Sequence, residues 1–280
     1  MTATTVSELH RTAFVTGAST GLGRAFTEML LAEGVKVWGT SRSLDRLAPL
    51  ATNPSFTPIA LDLRDGAASE ATFQEADQRA GGFDLVINNA GYGVFDEFVS
   101  EDFSVWQKQI EVMLVSPARL SHAALRGMLA RSMEGRKAAL VNISSLAVEF
   151  PLPFQSAYNL TKAGLSALSE SLMVEVEDTG VVVIDFRPGD YRTDFEGSVY
   201  RRSGDLSRRM TRAWSAFKRM MMSGPTPNHA AEMLRRALLE HKSGTVRSGR
   251  FFQAKMAPFL ARFGSLPMRR RIQARYFDVS

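Results

Sequence analysis

Short runs of apolar, often β-branched residues alternate along this chain with longer stretches whose apolar positions recur every three or four residues. Thr12–Thr16 (TAFVT), Val35–Thr40, Phe56–Leu61, Phe83–Ile87, the run holding Leu140, Val141 and Ile143, and Val181–Phe186 carry the continuous apolar pattern of buried strands. Between them, helical spacing is clearest in the stretch that follows Thr16, where the apolar positions include Leu22, Phe26, Leu30 and Leu31 and Gly34 ends the segment. Further helices are predicted at about 67–79, 102–131, 156–178 and 228–241, and a last short strand at Thr245-Val246. This β-α-β-α-β order predicts an α/β fold around a doubly wound parallel sheet, because parallel strands need crossover helices on both faces. No internal repeat or low-complexity linker interrupts it, so residues 1–280 are read as one domain.

Composition narrows the function classes. A hydrophobic content of 45% with 22% charged residues matches an ordinary globular core. No apolar run approaches the ~18 residues of a membrane span, and the first residues lack a basic segment followed by an apolar one, so a cytoplasmic protein is expected. The absence of cysteine removes disulfides, thiol catalysis and thiolate metal sites. His10, His122, His229 and His241 show no ligand spacing, so no metal is expected. The net charge of +5 hides a split: residues 1–199 carry 16 basic and 25 acidic residues, and residues 200–280 carry 18 basic and 4 acidic. No nucleic-acid motif accompanies that basic end, so no nucleic-acid partner is expected.

Candidate chemistry falls where the strands end. Gly17, Gly21 and Gly23 sit between a strand and an amphipathic helix, the context of a phosphate-binding turn: side chains would block the backbone, and a helix N-terminus offers free N–H groups. The second strand ends in Ser41-Arg42 with no carboxylate for a ribose diol, which favours a 2′-phosphate and hence NADP(H). Tyr158 and Lys162 lie one helical turn apart, after a strand ending in Ser144-Ser145. An ammonium there is expected to lower the phenol's pKa, and a serine hydroxyl to hold a carbonyl oxygen against it. Ser144 is expected to face the other side of its strand.

These motifs, in this order, resemble the short-chain dehydrogenase/reductase family, whose members have a single Rossmann-like domain. TGASTGLG (Thr16 to Gly23) is similar to the family's cofactor-binding turn, which implies contacts from Gly17, Ser19, Thr20, Gly21, Leu22 and Gly23. Asp62-Leu63 resembles the adenine contact, Asn88-Asn89-Ala90-Gly91 the segment supporting the fourth strand, and Pro188-Gly189 with Thr193 the loop that embraces the nicotinamide. Ser145, thirteen residues before Tyr158, and the Y-x-x-x-K from Tyr158 to Lys162 match the catalytic set. The resemblance implies hydride transfer between nicotinamide and a carbonyl or secondary alcohol. Tyr158 is then the general acid or base, Lys162 its activator and a holder of the nicotinamide ribose, and Ser145 the orienter of the substrate oxygen.

Two departures accompany the match. Met113 stands where the family carries an Asn that supports a water-linked proton relay to the lysine, and Val148 stands where many relatives have glycine, which is expected to narrow the pocket. The core spans residues 11–195 and a substrate lid residues 196–226, with Met210, Trp214, Phe217 and Met220 to Met222 as an apolar lining and Arg201, Arg202, Arg208, Arg209 and Arg212 outward. An apolar, bulky substrate of steroid, retinoid or aromatic-ketone type is therefore expected. The basic extension, residues 252–280, is read as a cap on the pocket in preference to a lipid-surface contact. Pairing of the helices at 102–131 and 156–178 across a twofold axis implies a homodimer or homotetramer. The competing reading, prompted by Met113, is a weakly catalytic or non-catalytic NADP(H)-binding sensor.

Overall fold

The structure, a computed structural model, describes residues 5–201, 206–261 and 264–279. Helix α1 (Val6–Leu9) leads into β1 (Thr12–Val15), α2 (Gly21–Ala32), β2 (Lys36–Ser41), β3 (Phe56–Ala60), α3 (Gly66–Ala80) and β4 (Leu85–Asn88). Then come β5 (Gly93–Val94), α4 (Phe103–Ile110), α5 (Ser116–Ser132), β6 (Ala138–Ile143), α6 (Ser156–Glu175) and β7 (Val181–Pro188). The chain closes with β8 (Val199–Tyr200), α7 (Arg208–Met222), α8 (Pro227–Glu240), β9 (Gly244–Ser248), α9 (Ala257–Ala261) and α10 (Leu266–Tyr276).

Seven strands form one parallel sheet in the order β3-β2-β1-β4-β6-β7-β9, a doubly wound, Rossmann-like arrangement. Its strands read as unbroken apolar runs because helices cover both faces. Phe26, Leu30, Leu234 and Leu238 pack from α2 and α8 on one side. Phe73, Leu120, Ala124 and Met128 pack from α3 and α5 on the other. Strand order reverses between β1 and β4, and in such sheets the crevice beyond the carboxyl ends at the reversal is the ligand site. A buried polar ladder fixes β4 against β6 at that edge. Asn88 Nδ2 donates to Asn142 Oδ1 at 2.9 Å and to Ser121 Oγ at 3.0 Å, and Asn142 Nδ2 donates to Ser169 Oγ at 2.9 Å.

The helix expected over 102–131 is one continuous run interrupted by a π-turn at Glu111–Val115, where Ser116 N–H reaches back to the Glu111 carbonyl. Pro117 explains the widening, since a proline has no N–H to offer the Met113 carbonyl four residues earlier. The anticipated last strand is β9, paired parallel to β7. A second, two-stranded sheet joins β5 to β8 at the start of the segment expected as a lid; two-residue strands carry no periodic signal in sequence. The lid lining differs from expectation. Met210 and Trp214 pack with Phe95 and Phe217 in a satellite core, and Met222 stands exposed. Arg201 lies over the Trp214 ring at 4.4 Å from its centroid, and Arg208, Arg209 and Arg212 are exposed as expected, whereas Arg202 lies outside the described residues.

Candidate active site

One cavity of about 900 Å³ runs along the carboxyl edge of the sheet. It is lined at one end by the glycine turn and strand ends, with Gly17, Ser19, Thr20, Gly21, Leu22, Gly23, Ser41, Arg42, Asp62, Leu63, Asn89, Ala90 and Gly91. Ser145, Tyr158, Lys162, Pro188, Gly189 and Thr193 line its middle, so the structure gathers every expected site residue around one space.

The glycine turn fits a dinucleotide for steric reasons visible in its neighbours. Gly17 and Gly21 hold φ of 69° and 56°, the left-handed region that penalises a side chain. At Gly23 an added Cβ would lie 2.2 Å from the Gly17 carbonyl oxygen and 2.3 Å from Asn89 Nδ2. Asn89 is held there by donating to Thr16 O at 2.9 Å, while Thr16 Oγ1 accepts from the N–H groups of Asn89 and Ala90. No side chain caps α2, and its first residues, Gly21, Leu22 and Gly23, face the cavity as a free N-terminal dipole end. Three further cations line this end beside Arg42: Arg46, Arg64 and Lys108. Arg64 is committed to Asp62 through Nε contacts of 3.0 and 2.9 Å, and that pairing holds the Asp62 carboxyl below its usual range. Arg46, in the 3₁₀ turn Leu44–Leu47 that follows Arg42, is a second basic residue of that loop, missed from sequence alone; Lys108, brought in by α4, had no signal.

Tyr158 and Lys162 project from the first turns of α6 toward the end of β6. Ser145 hydrogen-bonds the Tyr158 hydroxyl, and its Oγ also accepts from Ala147 N–H at 3.0 Å. Burial pushes the Tyr158 phenol up; its bond with Ser145 opposes the rise and the nearby Asp190 carboxylate adds to it. The expected lowering by the ammonium is therefore not the net result. Lys162 Nζ lies 5.8 Å from the Tyr158 ring centroid and donates to the Ile143 carbonyl at 2.6 Å. Burial pulls its own pKa down to about 8, against the attraction of Asp185.

Behind the lysine lies a charged network that no motif announced. Asp185, fully buried in mid-β7, accepts from Ser144 Oγ, from Ser166 Oγ at 2.8 Å and from Arg187 Nε at 2.7 Å. Arg187 continues to Glu170 at 2.7 Å and Glu149 at 3.1 Å, and Glu149 also accepts from Arg247 at 2.6 Å. Ser144 thus turns its hydroxyl to Asp185, whereas Ser145 turns its own to Tyr158. Met113 is buried on the cavity wall, and its Sδ accepts from the Tyr92 N–H at 3.4 Å. Val148 does not narrow the pocket: it sits in a 3₁₀ turn (Leu146–Val148) whose first two residues line the cavity while Val148 does not.

The far end of the cavity is apolar: Leu146, Phe150 and Leu152 from the loop after β6, Phe217, Met220 and Met221 from α7, and Phe252, Met268, Ile272 and Tyr276 from the extension. Gln253 ties that extension to the Pro188-Gly189 loop, donating to Asp190 Oδ2 at 2.8 Å. Burial pushes the Asp190 carboxyl up, against its bond with Gln253 and the charge of Arg250.

A family model for short chain dehydrogenases matches residues 11–203. The chain belongs to the short-chain dehydrogenase family. It is 32% identical over 191 residues to a short chain dehydrogenase of Pseudocercospora fijiensis, covering 66% of this chain but only 60% of that relative. Among solved structures, a short-chain dehydrogenase from Streptomyces avermitilis superposes with a TM-score of 0.80 at 29% identity, over 98% of both chains. A family member from Burkholderia phymatum, solved in complex with NAD, shares the fold at 23% identity and a TM-score of 0.75, covering 84% of this chain and 88% of its own. The chain thus carries the core of a family that uses a nicotinamide cofactor, and the cleft's glycine turn and α2 N-terminus fit one.

Proposed function

We propose that the protein is an NADP(H)-dependent oxidoreductase acting on a carbonyl or secondary alcohol of an apolar substrate, an activity of the CH–OH class. The observation that carries this reading is that Ser145, Tyr158 and Lys162 stand at the junction of a cationic, glycine-lined cleft and an apolar chamber. The cofactor supplies or accepts the hydride. Everything else is work for this chain's own groups. Gly17, Gly21, Gly23 and the first turn of α2 hold the pyrophosphate, Arg42 meets a 2′-phosphate, and Thr193 and the Pro188-Gly189 loop bound the nicotinamide end. In reduction the Tyr158 hydroxyl gives its proton to the substrate oxygen as the carbonyl carbon gains the hydride; in oxidation the phenolate takes that proton back. Ser145 orients the same oxygen, and Lys162, titrating near 8, favours the phenolate when charged.

The chamber walls of Leu146, Phe150, Phe217, Met221 and Ile272 support a bulky apolar substrate such as a steroid, retinoid or aromatic ketone. We extend the reading to a homodimer or homotetramer through α4 to α6, where Phe103, Leu160 and Val174 stand exposed. The test is absorbance at 340 nm with NADPH and NADH against graded ketones and aldehydes, with Tyr158→Phe as control. Turnover lost with cofactor affinity intact supports the role; retained turnover removes it. Met113 favours a second reading, a weakly catalytic NADP(H) sensor, because a thioether donates no hydrogen bond to a relay water. Tight NADPH binding without oxidation across the panel would select it.

A further inference from the structure

Capping the cavity uses only some of the extension's large apolar side chains. Met268, Ile272 and Tyr276, spaced four residues apart on α10, line the chamber together with Phe252. Phe251, Met256, Phe259 and Leu266 do not line the cavity, and Phe251 is 72% exposed and Phe259 and Leu266 are each 59% exposed. α10 contributes no buried residue; Arg269 fastens it to the Glu149 carbonyl at 2.9 Å, and Gln273 to the carbonyl of Pro151. Large apolar side chains held in water on polar tethers mark a surface built to be covered.

The charge around them says by what. Lys255, Arg270, Arg271 and Arg275 are exposed in the same segment, and residues 200–280 as a whole carry 18 basic against 4 acidic residues. A second copy of this chain seated there would bring like charges together across a twofold axis, which costs free energy. Aromatics interleaved with lysine and arginine match an interfacial lipid anchor, whose rings enter the headgroup layer while the cations meet anionic phosphates. No helix among the described residues is long and apolar enough to cross a membrane, so the fitting mode is attachment from one side.

We propose that residues 251–259 and 264–275 dock the protein on an anionic lipid surface, with Phe251, Met256, Phe259 and Leu266 inserted and Lys255, Arg270, Arg271 and Arg275 on the headgroups. Phe252 and Ala257, on the same segment, line the cavity, so the docked segment also forms part of its wall. The docking stands apart from the catalytic reading, and it is measured without substrate or turnover.

The experiment is cosedimentation of the full chain with vesicles of phosphatidylcholine alone and of phosphatidylcholine mixed with phosphatidylserine, at low and high salt. Binding to the anionic vesicles, weakened by salt, is expected. At about 1 kcal/mol for each cation at the surface, R270Q/R271Q/R275Q lowers the partition coefficient on the order of 100-fold. F251S/F259S lowers it further still at high salt, where the apolar contribution dominates. Unchanged melting temperature and NADPH affinity certify that the variants fold, and the salt titration of the unsubstituted chain stands without them. Absence of binding at low salt, equal binding to neutral vesicles, or a drop in oligomeric mass on F251S/F259S would each overturn the proposal, the last by showing that a second copy covers the face.

Discussion

Replacing Asp185 by Asn tests what the buried network does for Lys162. The substitution keeps the shape: the amide oxygen still accepts from Ser166 and Arg187, and the Ser144 hydroxyl can turn to accept from the new NH₂ group. What is lost is one buried negative charge, 2.7 Å from Arg187 Nε. With charge centres ~4 Å apart and an effective dielectric near 20, the gross attraction is about 4 kcal/mol. Arg187 retains Glu149 and Glu170, and removing a buried carboxylate recovers part of its desolvation cost. A net loss of about 2 kcal/mol is expected, read by urea unfolding and as a drop in melting temperature of roughly 4–8 °C for a domain of this size. Lys162, already drawn down to about 8 by burial, loses the one charge that supports its ammonium, so its pKa falls further. In the pH profile of kcat/KM, the limb belonging to Lys162 then moves to lower pH. A stability change under about 0.5 kcal/mol would refute the energetic reasoning. An unmoved limb in a destabilised variant would show that Asp185 supports the fold without acting on the lysine.

Gly23→Ala is expected to raise the cofactor dissociation constant at least tenfold and to cost about 1–3 kcal/mol, because its Cβ meets a backbone carbonyl and a tethered Asn89; calorimetric titration and unfolding check both. Arg42→Ala is expected to weaken NADPH roughly tenfold and leave NADH unchanged, and equal effects on the two would remove the 2′-phosphate contact. His10 is fully buried beside His241, and burial lowers its pKa from 6.5 to about 4. The unfolded chain therefore takes up the proton first, and stability is lost as pH falls from 6.5 toward 4, by up to ~3 kcal/mol. His10→Leu should flatten that part of the stability curve.

The strand-and-helix order, the carboxyl edge and the glycine turn were legible in the residues themselves. They depend on local rules: apolar runs make buried strands, and a turn that must leave backbone free requires glycine. The pairing of Tyr158 with Lys162 was legible for the same reason, since four residues on a helix is one turn. Spacing could not say which charges meet across the fold. Asp185 is an acid inside an apolar strand, and only the register of β7 against β6 and the packing of α6 bring Ser144, Ser166 and Arg187 around it. The direction of the Tyr158 shift likewise belongs to tertiary structure, because desolvation depends on everything packed around the ring. So does the lid: an amphipathic helix announces that one face will be buried, but only the assembled fold decided that Trp214 packs on Phe95 while Met220 and Met221 line the chamber. Sequence determined which residues stand at strand ends and helix starts; tertiary structure decided what each of them faces, because burial and long-range charge pairing are properties of the folded volume.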